Sequence, residues 1–323
     1  MIDKLRAIIE AFPAYVKRYL WPLPKFRREI VVMVDGVHSH GGLTDRFRNI
    51  LSIYAYCKEH TIPFRIHYVY PCELKHFLLP NVYDWTIKPS DITYSYYDSK
   101  EMILYVRPIE DVKSDEMIRI NNEEHLNLLG EELRKRKNIQ YHLYGNTCLA
   151  AGHYQELWKE LFKMTPFLEA HINQVRKNFK EPYESVTLRF QQLLGDFEEG
   201  DYETLSKEAK EVLIQTCIDK IDELYHTGYF STPKVLITSD SQTFLKRVEE
   251  LSYVYTIPGK LEHMDFTQND NLEVNVKPFI DLILLSEAQR LTLLKVGKMY
   301  KSGFPAFAAE LGGKLYNELL YHL

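Results

Sequence analysis

One pattern limits what this chain can become: short apolar runs alternate with stretches of helical period along nearly its whole length. Strand-like runs fall at residues 30–34, 64–68, 102–106 and 140–144, then at 185–190, 234–238, briefly near 253–256, and at 291–295. Helical patterns lie between them at 45–59, briefly at 73–79, at 121–136, 202–224, 241–251 and 276–286, with a last helix from about Phe304. Apolar runs separated by helices predict βαβ units, which build parallel, doubly wound sheets with helices on both faces. At 323 residues the chain is long enough for two such domains. The charged helical stretch 153–180 holds Thr165-Pro166, so the expected domains are residues 1–165 and 166–323. Two facing domains of this kind place a ligand in a cleft, at the carboxyl ends of the strands.

The joint after the first strand carries the richest local signal. It reads Asp35-Gly-Val-His-Ser-His-Gly-Gly-Leu-Thr-Asp-Arg-Phe-Arg-Asn49 and leads into Phe47, Ile50, Leu51 and Tyr54, spaced as one face of a helix. Strand, glycine loop and helix N-terminus together present backbone N–H groups to an anion. Arg46 and Arg48 sit in the first turn, where a cation opposes the helix dipole by a few tenths of a kcal/mol or more. Either a negative group docks near Gly41, Gly42 and Arg46, or the arginines are simply solvated.

Composition excludes several classes. A formal net charge of −5 argues against non-specific nucleic-acid binding, and no RNA-binding aromatic motif or Cys/His finger spacing is present. Cys57, Cys72, Cys148 and Cys217 form no C-x-x-C pair, which suits a reduced, cytoplasmic setting. No signal-peptide core or apolar run of about 20 residues is found. Within residues 1–28, an apolar stripe is followed by Lys17, Arg18, Trp21, Lys25, Arg27 and Arg28. Such a segment either packs on the following domain or makes peripheral contact with a membrane, here its inner face.

The strand ends supply the remaining candidates. Arg189 closes the run 185–190, where a lone buried cation needs an acid or an anionic ligand. Asp196 follows it closely, able to orient the guanidinium or to work on a substrate hydroxyl. Ser239-Asp240-Ser241 ends one strand and opens a helix; these are helix-capping residue types that would also face the cleft. Ser302-Gly303-Phe304-Pro305 is a good helix start and equally a phosphate cradle. The final helix is expected to bury Phe304, Phe307, Ala308, Leu311 and Leu315. There is no G-x-x-x-x-G-K-[ST] loop, no G-x-G-x-x-G after the first strand and no Asp-x-Asp pair to clamp a metal-bound diphosphate. An α/β protein that holds a diphosphate with arginine and helix termini suggests a metal-independent sugar transferase.

Four ordered elements also resemble a known family. Gly41-Gly-Leu-Thr-Asp-Arg-Phe-Arg-Asn49 resembles the glycine-loop motif of the fucosyltransferase superfamily (α-1,2, α-1,6 and protein O-fucosyltransferases). Thr187-Leu-Arg-Phe190 resembles its His-x-Arg strand, the 235–241 run its strand ending in a Ser/Thr-Asp pair, and Ser302-Gly-Phe304 its Ser-x-Phe phosphate loop. The resemblance implies a GT-B fold, with two Rossmann-like doubly wound domains facing across a cleft, and inverting transfer from GDP-fucose to a glycan acceptor without metal or other cofactor. The first domain would be the acceptor side and the second the nucleotide-sugar side. Arg189 would hold the diphosphate, Ser302, Gly303 and Phe304 a phosphate, Asp240 and Ser241 the nucleoside side, and Gly41, Gly42 and Arg46 the wall near the reacting sugar. Two departures stand out: Thr187 replaces the histidine, and the Gly-Asp pair is displaced to Gly195-Asp196.

Neutralising the leaving diphosphate is the largest catalytic demand in such a reaction. A base for the acceptor proton contributes about 10²–10⁴-fold, with Asp45, Asp196, His38 and His40 as candidates in that order. A hydrolase with paired carboxylates is disfavoured, because no paired-acid segment stands out. A non-catalytic chain that only binds nucleotide or glycan is the other reading, and the loss of the histidine at Thr187 fits it.

Overall fold

The computed structural model describes residues 12–13, 16–20, 28–135, 138–146, 153–178, 182–196, 203–259 and 271–322. Most of the 1–28 stretch, Cys148 and Phe197 lie outside them. In chain order the elements are β1 (Glu29–Val34), α1 (Leu43–Glu59), β2 (Phe64–Tyr68), β3 (Leu78–Pro80), β4 (Ser99–Leu104), α2 (Ser114–Lys135) and β5 (Gln140–Gly145). Then come α3 (Tyr154–Leu161), β6 (Phe162–Met164), α4 (Pro166–Arg176), β7 (Tyr183–Leu188), α5 (Lys207–His226), β8 (Lys234–Ser239), α6 (Gln242–Val248) and β9 (Val254–Thr256). The chain closes with α7 (Leu272–Asn275), α8 (Lys277–Glu287), β10 (Arg290–Val296), α9 (Phe304–Gly312) and β11 (Leu315–Tyr321). Among the described residues no helix is long and apolar enough to cross a membrane.

The chain forms two compact units: Met1–Gly41, Asp45–Tyr70 and Pro80–Ala151 make the first, and Gly42–Thr44, Pro71–Leu79 and Gly152–Leu323 the second. Residues 152–165, expected with the first domain, group with the second. The reason is packing: Tyr154 of α3 meets Phe307 of α9 edge to face with ring centroids 5.7 Å apart, and β6 pairs with β3.

The first unit holds a four-stranded parallel sheet in the order β2-β1-β5-β4. Its interior strand β1 reads Glu-Ile-Val-Val-Met-Val, and residues 30–34 are buried on both faces, as a parallel sheet demands. Helix α1 seats Phe47, Ile50, Leu51, Tyr54 and Cys57 in the core. Each such side chain contributes roughly 1.5–3 kcal/mol when taken from water.

The second unit holds a five-stranded parallel sheet in the order β11-β10-β7-β8-β9, with β7 at its centre. Helix α8 is buried almost all round, and its Lys277 Nζ lies 2.6 Å from Asp281 Oδ2 one turn on, a buried pair. The C-terminus differs from expectation. Helix α9 stops at Gly312, capped by Gly313 at φ 61°, a left-handed conformation that glycine adopts freely. Leu315, expected on the buried face of that helix, opens the edge strand β11 instead and is 73% exposed. Phe304 is half-buried.

Candidate active site

In the second unit, three adjacent strands deliver the predicted residues to one edge of the sheet. Every residue of β7 is buried, polar ones included. Glu184 accepts a 2.8 Å hydrogen bond from Arg290 Nε, and the Thr187 and Thr238 hydroxyls lie 2.8 Å apart across β7 and β8. These bonds satisfy groups that would otherwise cost a few kcal/mol each in an apolar sheet. Arg189 follows directly at the carboxyl end, its side chain 18% exposed.

The neighbouring strand supplies what holds it. Asp240, 3% exposed, accepts backbone N–H bonds from Phe190 (2.8 Å) and Gln191 (2.7 Å). The carboxylate thus ties down the turn immediately after Arg189, where Gln191 adopts φ 52°. Its Oδ2 lies 3.8 Å from Arg189 Nε. Burial pushes the Asp240 carboxyl pKa up, and the guanidinium together with the two N–H donors pulls it back. From the loop after β10, the Tyr300 backbone N–H donates to the Arg189 carbonyl (3.0 Å), and the Tyr300 ring centroid is 5.9 Å from the guanidinium carbon. The loop that carries Ser302, Gly303 and Phe304 is thereby fastened to Arg189.

The other predicted residues of this unit sit at helix starts. Ser241 caps α6, accepting from Phe244 N (3.1 Å) and donating to Asp196 Oδ2 (2.9 Å). Asp196 also accepts from Thr243 N (2.7 Å), so this carboxylate is engaged with the first turn of α6. Ser302 is buried and accepts from Phe304 N (3.2 Å) at the start of α9. Beside the Arg189 loop lies a mostly apolar cavity of about 570 Å³ lined by Leu193, Leu205, Val212, Leu213, Gly297 and Lys298. Among the described residues, no three His, Cys, Asp or Glu side chains gather as metal ligands.

In the first unit the glycine loop also follows its strand, but Arg46 does not do what its position in the sequence implies. It is 1% exposed. Its Nε donates to the Gly41 carbonyl (3.0 Å), and its Nη1 donates to the Tyr70 carbonyl (2.8 Å) and the Tyr68 hydroxyl (3.0 Å). The guanidinium fastens the glycine loop to the end of β2, answering protein carbonyls rather than solvent. Gly41 sits at φ 69°, and a Cβ there would come within 2.9 Å of Asp45 Oδ2. Asp45 is an acid in the first turn of α1, where the helix dipole favours it. Gly42, which groups with the second unit, lies one residue before the helix and is half-buried.

The two histidines of this loop divide sharply. His40 is 2% exposed, and its Nε2 accepts the Gly36 N–H (3.0 Å). His38 keeps 28% of its side chain exposed; its Nε2 is 3.0 Å from Glu101 Oε1, and its ring meets Tyr144 edge-on at 4.5 Å. Tyr144 donates to Asp35 Oδ2 (2.8 Å), and burial first, then Asp35, drives its phenol pKa upward. Asp35, Glu101 and Tyr144 are the residues that sequence reasoning missed. Asp35 was visible at a strand end; Glu101, on an edge strand 63 residues from His38, left no local trace.

These features define a class: an α/β chain with parallel doubly wound sheets, sharing the fold of GT-B fucosyltransferase structures. The chain is similar to the NodZ α-1,6-fucosyltransferase soaked with GDP-fucose, at 15% identity over 88% of this chain and 93% of that one, with a TM-score of 0.54. Fucosyltransferase NodZ from Bradyrhizobium matches at 15% identity, 87% and 92% coverage and a TM-score of 0.53. A mutant of Arabidopsis thaliana FUT1 in complex with GDP matches at 11% identity, 98% and 75% coverage and a TM-score of 0.55. At such identities the likeness establishes the fold. No family model and no curated protein sequence matches the chain.

Proposed function

We propose that this chain is an inverting, metal-independent glycosyltransferase that moves fucose from GDP-fucose to a glycan hydroxyl. One observation carries the reading: a guanidinium at the carboxyl end of the central β7 strand, its turn fixed by the buried Asp240. A fixed cation at that edge suits a pyrophosphate, whose charge grows as the sugar leaves. Arg189 takes the diphosphate. The loop at Ser302, Gly303 and Phe304 takes a phosphate through the N–H groups that open α9. Asp240 acts chiefly by holding the Arg189 turn, and Ser241 and Asp196 by starting α6 on the nucleoside side. Gly41, Asp45 and Arg46 of the first unit, with Gly42, shape the glycine loop on the acceptor side.

The glycan we propose belongs to a surface polysaccharide, built on the cytoplasmic face of a membrane. Lys17, Arg18 and Leu20 are exposed, which supports peripheral contact through residues 1–28. The rival reading is a binder without transfer. It is favoured by Thr187, whose hydroxyl is bound to Thr238 where the resembled family carries a histidine.

The two readings separate in one assay. GDP release from GDP-fucose is followed with water and with a panel of oligosaccharides, alongside UDP- and CMP-sugars. Transfer predicts GDP release from GDP-fucose, raised by an acceptor; a binder retains GDP affinity and releases nothing above background.

A further inference from the structure

We propose that His38 is the base that takes the acceptor proton and that Glu101 is its positioning residue; this rests on the glycosyl-transfer reading above. In the parallel pairing of β4 with β5, Glu101 lies beside His142 and Ile103 beside Tyr144, so Glu101 and Tyr144 share a face of the sheet. The β1 exit loop crosses the same strands. Its shape is fixed by three contacts: Val37 N donates to Asp35 Oδ1 (3.0 Å), Gly36 N to His40 Nε2, and the Tyr105 hydroxyl to the Ser39 carbonyl.

His38 is therefore held on two sides, by the Glu101 carboxylate at 3.0 Å and by the Tyr144 ring edge-on at 4.5 Å. Tyr144 is itself anchored on Asp35 at 2.8 Å. With Glu101 ionised, Nε2 carries the proton and donates it to the carboxylate, which leaves the lone pair on Nδ1. Among the described residues Nδ1 makes no hydrogen bond, and the side chain remains partly exposed. Of the loop's two imidazoles, His40 is buried and its Nε2 is used by Gly36, so only His38 combines an oriented ring with access.

The acceptor O–H bond breaks and its proton passes to His38 Nδ1, while the oxygen forms a bond to the sugar's anomeric carbon. The bond from that carbon to the diphosphate oxygen breaks, and its electron pair leaves with GDP. The imidazolium, steadied by Glu101, then returns its proton to solvent.

The test uses the full chain and GDP-fucose, with water in place of the acceptor hydroxyl. His38→Gln is expected to lower kcat for GDP release about 100-fold, with KM for GDP-fucose and GDP binding unchanged. Glu101→Gln is expected to lower kcat about tenfold with KM for GDP-fucose unchanged. Added imidazole is expected to restore part of the activity of His38→Ala, which a structural role would not allow. A His38→Gln chain within threefold of wild-type kcat overturns the proposal, as does an unchanged kcat in Glu101→Gln, a replacement on an exposed strand edge that spares the core. If the wild-type chain binds GDP but releases none from GDP-fucose, the transfer reading fails first and the proposal with it.

Discussion

Replacing Arg46 separates two physical accounts of the glycine loop. An arginine in the first turn of α1 invites the idea of an anion site, yet its donors meet the carbonyls of Gly41 and Tyr70 and the hydroxyl of Tyr68 at 2.8–3.0 Å. Hydrogen bonds from a charged donor contribute about 1.5–3 kcal/mol each, and a buried acceptor left without a partner costs about 1–3 kcal/mol. Methionine keeps much of the packing volume and none of the donors. Since losses within one network do not add, Arg46→Met should cost about 3–5 kcal/mol in total. In a domain of this size that lowers the melting temperature by about 10 °C. Lysine, a compact point charge, should recover roughly half by reaching one or two of the three acceptors. Thermal and urea melts measure the loss, with GDP titration run beside them. Arg46→Met melting within about 1 °C of wild type, with GDP affinity strongly reduced, would refute the reasoning and restore the anion site.

Other expectations follow from named contacts. Asp240→Asn can accept only one of the two N–H groups of Phe190 and Gln191 and turns a donor toward the other, so it should destabilise by about 1–3 kcal/mol and weaken GDP binding. Asp196→Ala removes a partner of both Ser241 and Thr243; a denaturant melt should show a loss of about 1 kcal/mol, with kcat lowered less than by His38→Gln. His142 is held neutral by burial, which drives its pKa down to about 4. The unfolded chain takes up that proton from about pH 6.5, whereas the folded chain does so only near 4, so stability falls as pH drops through that window. The full loss is about 3 kcal/mol. His142→Gln should flatten the stability–pH curve between 6.5 and 4, and an unchanged slope would contradict the assignment.

What could be read from the sequence was set by burial. Strand β1 carries a buried apolar run and β8 a buried Val-Leu-Ile-Thr, so their pattern survives without the structure, whereas β7 also buries Glu184 and Ser185 and shows the pattern only from Val186 on. Strand β4 lies at a sheet edge and begins Ser99-Lys100-Glu101, so the apolar signal points a few residues late, to 102–106. Strand β11 was hidden because Leu-Tyr-Asn-Glu-Leu-Leu-Tyr follows an apolar helix and reads as its continuation unless Gly313 is taken as a stop. At the candidate site, Arg189 was visible from its place at a strand end. The 240–190 and 101–38 pairings were not, because the first joins two strand exits and the second a strand exit to the middle of β4. Arg46 was misleading for a related reason: two of its partners are carbonyls, and backbone acceptors leave no mark on residue type.

Calorimetric titration of GDP and UDP into the wild-type chain and Arg189→Gln tests the account most directly. Losing a charge-assisted contact to a diphosphate costs about 2–4 kcal/mol, so GDP affinity should fall about 30- to 1000-fold in the variant while its melting temperature stays within a few degrees of wild type. Equal GDP affinity in the two chains, or tighter binding of UDP by the wild type, would contradict a guanosine diphosphate held by the arginine at the end of β7.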